Sequence, residues 1–123
     1  MPDYSFPKKE RLKSRKIIHR LFEEGDSLGS FPVRVFFLPN EALGLKAGFA
    51  VPKKKFRSAV SRNKVKRLMR ETYRLQKSIL GEKDLQLSMM FLYLGNDFPE
   101  YERLYRQMGK LLKKISKHQF SPR

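Results

Sequence analysis

The chain of 123 residues contains no cysteine, which excludes disulfides and thiolate metal sites. Acidic residues are scarce: 12 Asp and Glu stand against 28 Lys and Arg, a formal charge of +16. Long apolar runs are missing too. MMFLYL at 89–94 is among the longest, far short of the roughly 20 residues needed to cross a bilayer as a helix. The opening MPDYSFPKKERLK lacks the apolar core of a secretory signal, so a cytoplasmic protein is expected. There is no internal repeat, low-complexity linker or composition break, and residues 1–123 read as one domain with an extended basic segment at 1–13.

What is present is a globular composition under heavy positive charge. Hydrophobic residues make up 40%, with ten Phe and five Tyr, enough for a core and too many for a disordered basic tail. A charge of +16 opposes folding through self-repulsion, so it implies a polyanionic partner. Nucleic acid ranks first, an anionic membrane surface second and an acidic protein third.

A first helix is expected from Ser14 to Glu24, capped by Ser14, striped by Ile17, Ile18, Leu21 and Phe22, and ended by Gly25. PVRVFFLP at 32–39 reads as a strand with Val33, Val35 and Phe37 on one face and Arg34, Phe36 and Leu38 on the other. A turn near 40–45 leads to a short strand, KAGFAV at 46–51. A long helix over 58–80 follows. Then DLQLSMMFLYL at 84–94, alternating at Leu85, Leu87, Met89, Phe91 and Tyr93, reads as a central strand. Asp97 and Glu100 form a capping-box pattern for a last helix with apolar positions Tyr101, Leu104, Tyr105, Met108, Leu111, Leu112 and Ile115. The fold class is α+β.

The long helix carries SRNKVKRLMRETYR at 61–74, with six bases and one acid, Glu71. Its angular step gathers Val65, Leu68, Met69, Thr72, Leu75 and Ile79 on one side, with Arg62, Asn63, Lys66, Arg67, Arg70, Arg74 and Lys77 expected opposite. Lys64 and Glu71 lie at one boundary and Tyr73 at the other. Solvated helix faces normally interleave acids with bases, whereas residues 52–77 hold eleven bases and one acid. An anion-binding face explains this better, because a phosphate backbone would neutralise it and release counterions. The Arg forks suit phosphate oxygens and can stack on bases. Asn63 suits a base edge or a hydrogen bond near the helix start equally.

Single-stranded RNA recognition couples such charge to stacking platforms. Phe36 shares a strand face with Arg34 and is favoured for stacking, while Phe22 serves the core at least as well. KAGFAVPKK is a poor match to the RRM signature, because Val51 replaces an aromatic and Pro52 follows. Gly48 and Ala50 are small enough to let a backbone approach that sheet face.

FAVPKKKFRSAVSRNKVKRLMRE at 49–71 resembles the signature of the bacterial ribonuclease P protein subunit, through Lys53, Lys54, Ala59, Val60, Arg62, Asn63, Lys66, Arg67 and Arg70. The likeness extends more loosely over most of the chain, including RLKSRKIIHRLFEEG. Lys64 stands where the family usually has Arg, and Ile18 where many members have Phe. Lys55 to Arg57 looks one residue longer than in some relatives.

The resemblance implies a single compact domain in αβββαβα order, a four-stranded sheet packed with helices, and a left-handed βαβ crossover. It also implies binding to ribonuclease P RNA and precursor tRNA, as a monomer and without a membrane, to help remove the 5′ leader. The motif helix (Arg62, Asn63, Lys64, Lys66, Arg67, Arg70, Arg74) and the basic loop (Lys53, Lys54, Lys55, Arg57) would face the RNA. A cleft at Ile18, Phe22, Arg34 and Phe36 would hold the leader.

No catalytic set is legible. His19 and His118 sit on separate elements without a sequence-local partner, and no metal-ligand spacing occurs. This fits an RNA that performs the chemistry with Mg²⁺, the protein holding no cofactor. Two other readings stand beside it. One is a non-enzymatic RNA-binding protein, ribosomal or chaperone. The other is peripheral membrane binding through the helix at 58–80, which would leave no core for the sheet.

Overall fold

The computed structural model describes residues 5–40, 44–80 and 86–118. Leu85, the middle of the turn expected at 40–45, and residues 1–4 of the expected N-terminal segment lie outside them. In order come α1 (Arg15–Glu24), β1 (Asp26–Ser30), β2 (Val33–Pro39), β3 (Lys46–Ala50), α2 (Ala59–Gln76), β4 (Leu87–Tyr93) and α3 (Tyr101–Lys117), with single 3-10 turns at Lys8–Glu10 and Lys77–Leu80. The sheet runs β1-β2-β4-β3, antiparallel except for the β3–β4 pair, which α2 connects.

α1 forms as its sequence predicts. Ser14 Oγ accepts the Ile17 N–H at 3.3 Å, and the Gly25 N–H closes the last turn on the Leu21 carbonyl at 2.9 Å. β1, DSLGS, has no strand-like composition and is missed by pattern. It forms because it pairs in full register with β2, from Asp26 opposite Phe37 to Ser30 opposite Val33. β4 is central, and six of its seven residues are buried, so both of its faces are covered.

Each face of the sheet has its own cluster. Val33, Val35, Phe37, Ala47, Met89 and Phe91 meet Val65, Met69 and Tyr73 of α2 and Leu104, Met108, Leu111, Leu112 and Ile115 of α3. The apolar face of α2 is thus committed to the core, which removes the membrane reading of this helix. The opposite sheet face, through Leu38 and Met90, packs on Leu21 of α1 and on Leu12.

The N-terminal segment is docked. Phe6 and Leu12 are buried, and the Leu12 N–H donates to the Ala47 carbonyl at 2.9 Å. A Cβ on Gly48 would stand 2.7 Å from Met90 Sδ and 3.4 Å from the Leu12 carbonyl oxygen. The close backbone approach expected at Gly48 is therefore made by the chain itself.

The last helix corrects two expectations. It begins at Tyr101 with Glu100 as cap residue and no side-chain cap bond, while Asp97 uses its carbonyl to accept the Tyr93 hydroxyl at 2.7 Å. The capping box is absent because Asp97 lies four residues before the first helical turn. Tyr101 and Tyr105 are 40% and 37% exposed, at the edge of the buried stripe.

Tyr73 Oη is buried without a hydrogen-bond partner among the described residues, and burial, with a smaller contribution from Glu10, raises its pKa above the ordinary value of 10.0. An unpaired buried hydroxyl costs about 1–3 kcal/mol, so Tyr73→Phe is expected to leave stability unchanged or raise it by about 1 kcal/mol. The raised folded pKa adds an alkaline signature. The stabilising difference is complete below the unfolded tyrosine pKa and is lost as pH climbs from about 10 toward the folded value, at up to about 1.4 kcal/mol per pH unit. Denaturant titrations at neutral pH and near pH 11 should therefore separate the native protein from Tyr73→Phe mainly at the alkaline end. A clear loss of stability in Tyr73→Phe at neutral pH would contradict this.

Candidate nucleic-acid interface

β3 ends at Ala50, Val51 after it is buried, and Pro52 opens a tight turn closed by the Lys55 N–H on the Pro52 carbonyl at 3.1 Å. Lys53, Lys54 and Arg57 are exposed. Lys55 is partly covered and donates to Asn96 Oδ1 at 2.6 Å, tying the basic loop to the segment after β4. Ser58 then caps α2, its hydroxyl accepting the Ser61 N–H at 3.4 Å.

The helix turns a slightly different face inward than its pattern predicts. Val65, Met69, Thr72, Tyr73 and Gln76 are buried, while Leu68, Leu75 and Ile79 are only half-buried. α3 decides this. Gln76 Nε2 donates to the Tyr105 carbonyl at 2.9 Å and to the Thr72 carbonyl at 3.0 Å. A Cβ on Gly109 would come 2.5 Å from Gln76 Oε1, so the two helices meet at a glycine contact.

The basic residues fall into two groups, those with partners within the chain and those projecting to solvent. Arg62 does not lie opposite the core. It donates to the carbonyls of Phe56 and Arg57, both at 2.8 Å, and so fastens the basic loop to the helix start. The 100° step puts Arg62 near Met69 and Tyr73 around the axis. Lys77 is also inward, bonding Glu10 at 2.9 Å and the Ser5 carbonyl. Arg74 pairs with Glu71, its Nε at 3.1 Å from Oε2. That hydrogen bond, with the Arg74 and Arg70 charges adding and burial opposing, holds the Glu71 carboxyl below its ordinary range.

Asn63, Lys64, Arg67 and Arg70 project to solvent, with Lys66 half-exposed beside them. The side chains of Lys64 and Arg67 make no hydrogen bond or ion pair among the described residues. Asn63 lies a turn inside the helix and Ser58 holds the cap, so its helix-start alternative falls away. Val60, 65% exposed, sits on the same side.

The residues expected to line a leader cleft lie near one another on α1 and β2. The Phe22 and Phe36 rings meet edge-on at 5.0 Å. Phe22 is 41% exposed, whereas Phe36 is half-buried and packs with Ile17 and Ile18 against the Leu21 cluster. The ring more open to a ligand is thus Phe22, because α1 lies across β2 and covers part of Phe36. Arg34 is exposed at the edge of this face, donating to Ser27 Oγ at 3.1 Å. Half-buried Ala50 and Leu92, paired across β3 and β4, continue this sheet face toward the basic loop.

Nothing in the site forms a catalytic set. His19, expected to lack a local partner, lies 3.0 Å from Glu23 one turn along the exposed face of α1. His118 packs edge-on against Phe37 at 5.1 Å. Among the described residues no three His, Asp or Glu side chains converge as metal ligands, and no helix is long and apolar enough to cross a membrane.

Comparison with known proteins gives the family. Residues 6–116 match the family model described as Ribonuclease P. The Ribonuclease P protein component of Porphyromonas gingivalis is 35% identical over 122 residues, covering 94% of this chain and 89% of that protein. Its counterpart in Vibrio cholerae is 30% identical over 120 residues, covering 95% and 97%. The RNase P protein from Thermotoga maritima superposes with a TM-score of 0.73 at 28% identity, covering 86% of this chain and 97% of that one.

Proposed function

The chain belongs to the ribonuclease P protein family and is the non-catalytic protein subunit of that tRNA-processing endoribonuclease; from this premise we propose that α2 docks on the ribonuclease P RNA while the α1–sheet cleft grips the 5′ leader of precursor tRNA. The observation that carries the reading is the outward face of α2, where Lys64, Arg67 and Arg70 stand exposed with Asn63, backed by a fully buried face. Lys53, Lys54 and Arg57 extend the same positive surface. Arg62 supports it from behind by holding the loop in place.

In this reading the chain contributes charge screening and positioning. Its Lys and Arg side chains neutralise phosphates that would otherwise repel substrate from the RNA. Phe22, Phe36 and Arg34 hold the leader in line, which lowers the entropic cost of reaching the cleavage geometry. Mg²⁺ belongs to the RNA, and the protein acts as a monomer. The cytoplasmic location expected from the sequence is part of the same proposal. A ribosomal or chaperone role is not favoured by the family matches.

The test is reconstitution of the full chain with a bacterial ribonuclease P RNA at low Mg²⁺. Strong stimulation of precursor-tRNA cleavage is expected, and RNA binding without stimulation would overturn the reading. Within that assay, Phe22→Ala or Phe36→Ala should weaken binding of leader-bearing substrate about tenfold, the scale of one lost stacking contact, and leave mature tRNA unaffected. Equal loss for both RNAs would assign these rings to packing or to the RNA-subunit contact.

A further inference from the structure

At the end of the sheet where β1 turns into β2 lies a cavity of about 270 Å³, between that turn and the segment from β4 to α3. Two of its walls are Phe31 and Phe98, which are 61% and 52% exposed. Neither ring serves the core, and nothing in the α2 or leader site uses them. The cavity is preformed. The Leu94 N–H donates to the Pro32 carbonyl at 2.7 Å, joining the two loops. Tyr93, in the lining, is pinned by its hydroxyl on the Asp97 carbonyl at 2.7 Å. A Cβ on Gly95 would stand 2.5 Å from that hydroxyl, so the loop closes tightly over the ring.

The cavity borders the basic loop. Lys55 reaches Asn96 at 2.6 Å, and the Phe56 and Tyr93 rings are 6.0 Å apart. An RNA strand lying along Lys53–Arg57 would therefore pass its mouth. The lining combines aromatic rings with the donor Arg103 and the acceptors Asp97 and Glu100. Carboxylates disfavour phosphate but accept N–H groups, and Arg suits a purine O6 and N7. The volume is just under the roughly 300 Å³ at which drug-sized sites begin, a scale suited to one base.

We propose that this cavity takes a single unpaired guanine of an RNA strand bound along the basic loop, stacked by Phe31 and Phe98. Guanine is the base that offers adjacent N–H donors to a carboxylate together with an O6 and N7 edge for Arg103. The proposal rests on RNA being the partner of the basic surface. It adds a base-reading contact beside the basic loop.

The full chain is titrated at low salt with the RNA pentamers UUGUU, UUAUU, UUCUU and UUUUU, and with guanosine monophosphate. UUGUU should bind about tenfold more tightly than the others, within the range by which one bidentate base contact discriminates against the wrong base, with the rings holding the base in reach of Arg103. The Phe31→Ala/Phe98→Ala double variant should abolish that preference while retaining the native circular dichroism, because both rings are exposed. Phe22→Ala should keep the preference, and Arg67→Ala should weaken all pentamers alike. Four equal pentamer affinities, or a guanine preference that survives the double variant, would overturn the assignment. So would free guanosine monophosphate binding as tightly as UUGUU, which would remove the RNA strand from the picture. Arg67→Ala leaving every affinity unchanged would refute the α2 reading instead, with the guanine preference still deciding the cavity.

Discussion

Replacing Arg67 and Arg70 together with alanine is expected to weaken binding of ribonuclease P RNA by about a hundredfold, with the melting temperature unchanged. Both side chains are exposed on the outer face of α2, and neither contributes to the core. A net hydrogen bond to a charged group is worth about 1.5–3 kcal/mol, so each lost guanidinium–phosphate contact weakens binding by at least about tenfold. The salt dependence carries the sharper information. Each phosphate contact removed should lower the slope of log affinity against log salt by about 1. Filter binding of the RNA over a salt series measures both quantities. Unchanged affinity with an unchanged slope would show that this face does not meet the RNA. Arg62 is left out of the pair deliberately, because its bonds to the Phe56 and Arg57 carbonyls make it part of the loop's own structure.

Phe91→Ala is expected to cost about 3–5 kcal/mol, a large share of the 5–15 kcal/mol that holds a typical domain together. Phe91 is fully buried on the central strand. Its ring stacks on Phe49 with centroids 5.4 Å apart and tilts against Tyr73, also at 5.4 Å. Phe6 of the N-terminal segment meets the Phe49 and Tyr73 rings edge-on. Truncating Phe91 therefore opens a cavity where β3, β4, α2 and the N-terminal segment converge. Little of it can collapse, since both strands are held by their ladders. A fall in melting temperature of roughly 10–20 °C should follow in a thermal scan. A melting point within a few degrees of the native protein's would mean that this ring cluster does not hold the sheet to α2.

The sequence by itself determined the chemistry of the partner and most of the elements. Charge balance and the Arg-Asn-x-x-Lys-Arg-x-x-Arg run of the long helix are local facts, and they are the ground for proposing a polyanion-binding helix before any coordinate is known. The Ser14 cap, the Gly25 stop and the alternation of β2 are equally local, because backbone geometry and side-chain period act over a few residues.

Tertiary structure decided the rest, since each remaining question concerned which distant group stands nearby. DSLGS became a strand only through its ladder with β2. The inward face of α2 was set by the Gly109 contact with α3, not by the α2 pattern alone. Lys77 looks like any other base in the sequence, yet the folded chain offers it a carboxylate, and Arg62, which the helical step already sets beside Met69 and Tyr73, finds the Phe56 and Arg57 carbonyls. Phe22 is more exposed than Phe36 because α1 lies across β2. Charge and period are properties of the chain, whereas exposure belongs to the packing of elements far apart in sequence.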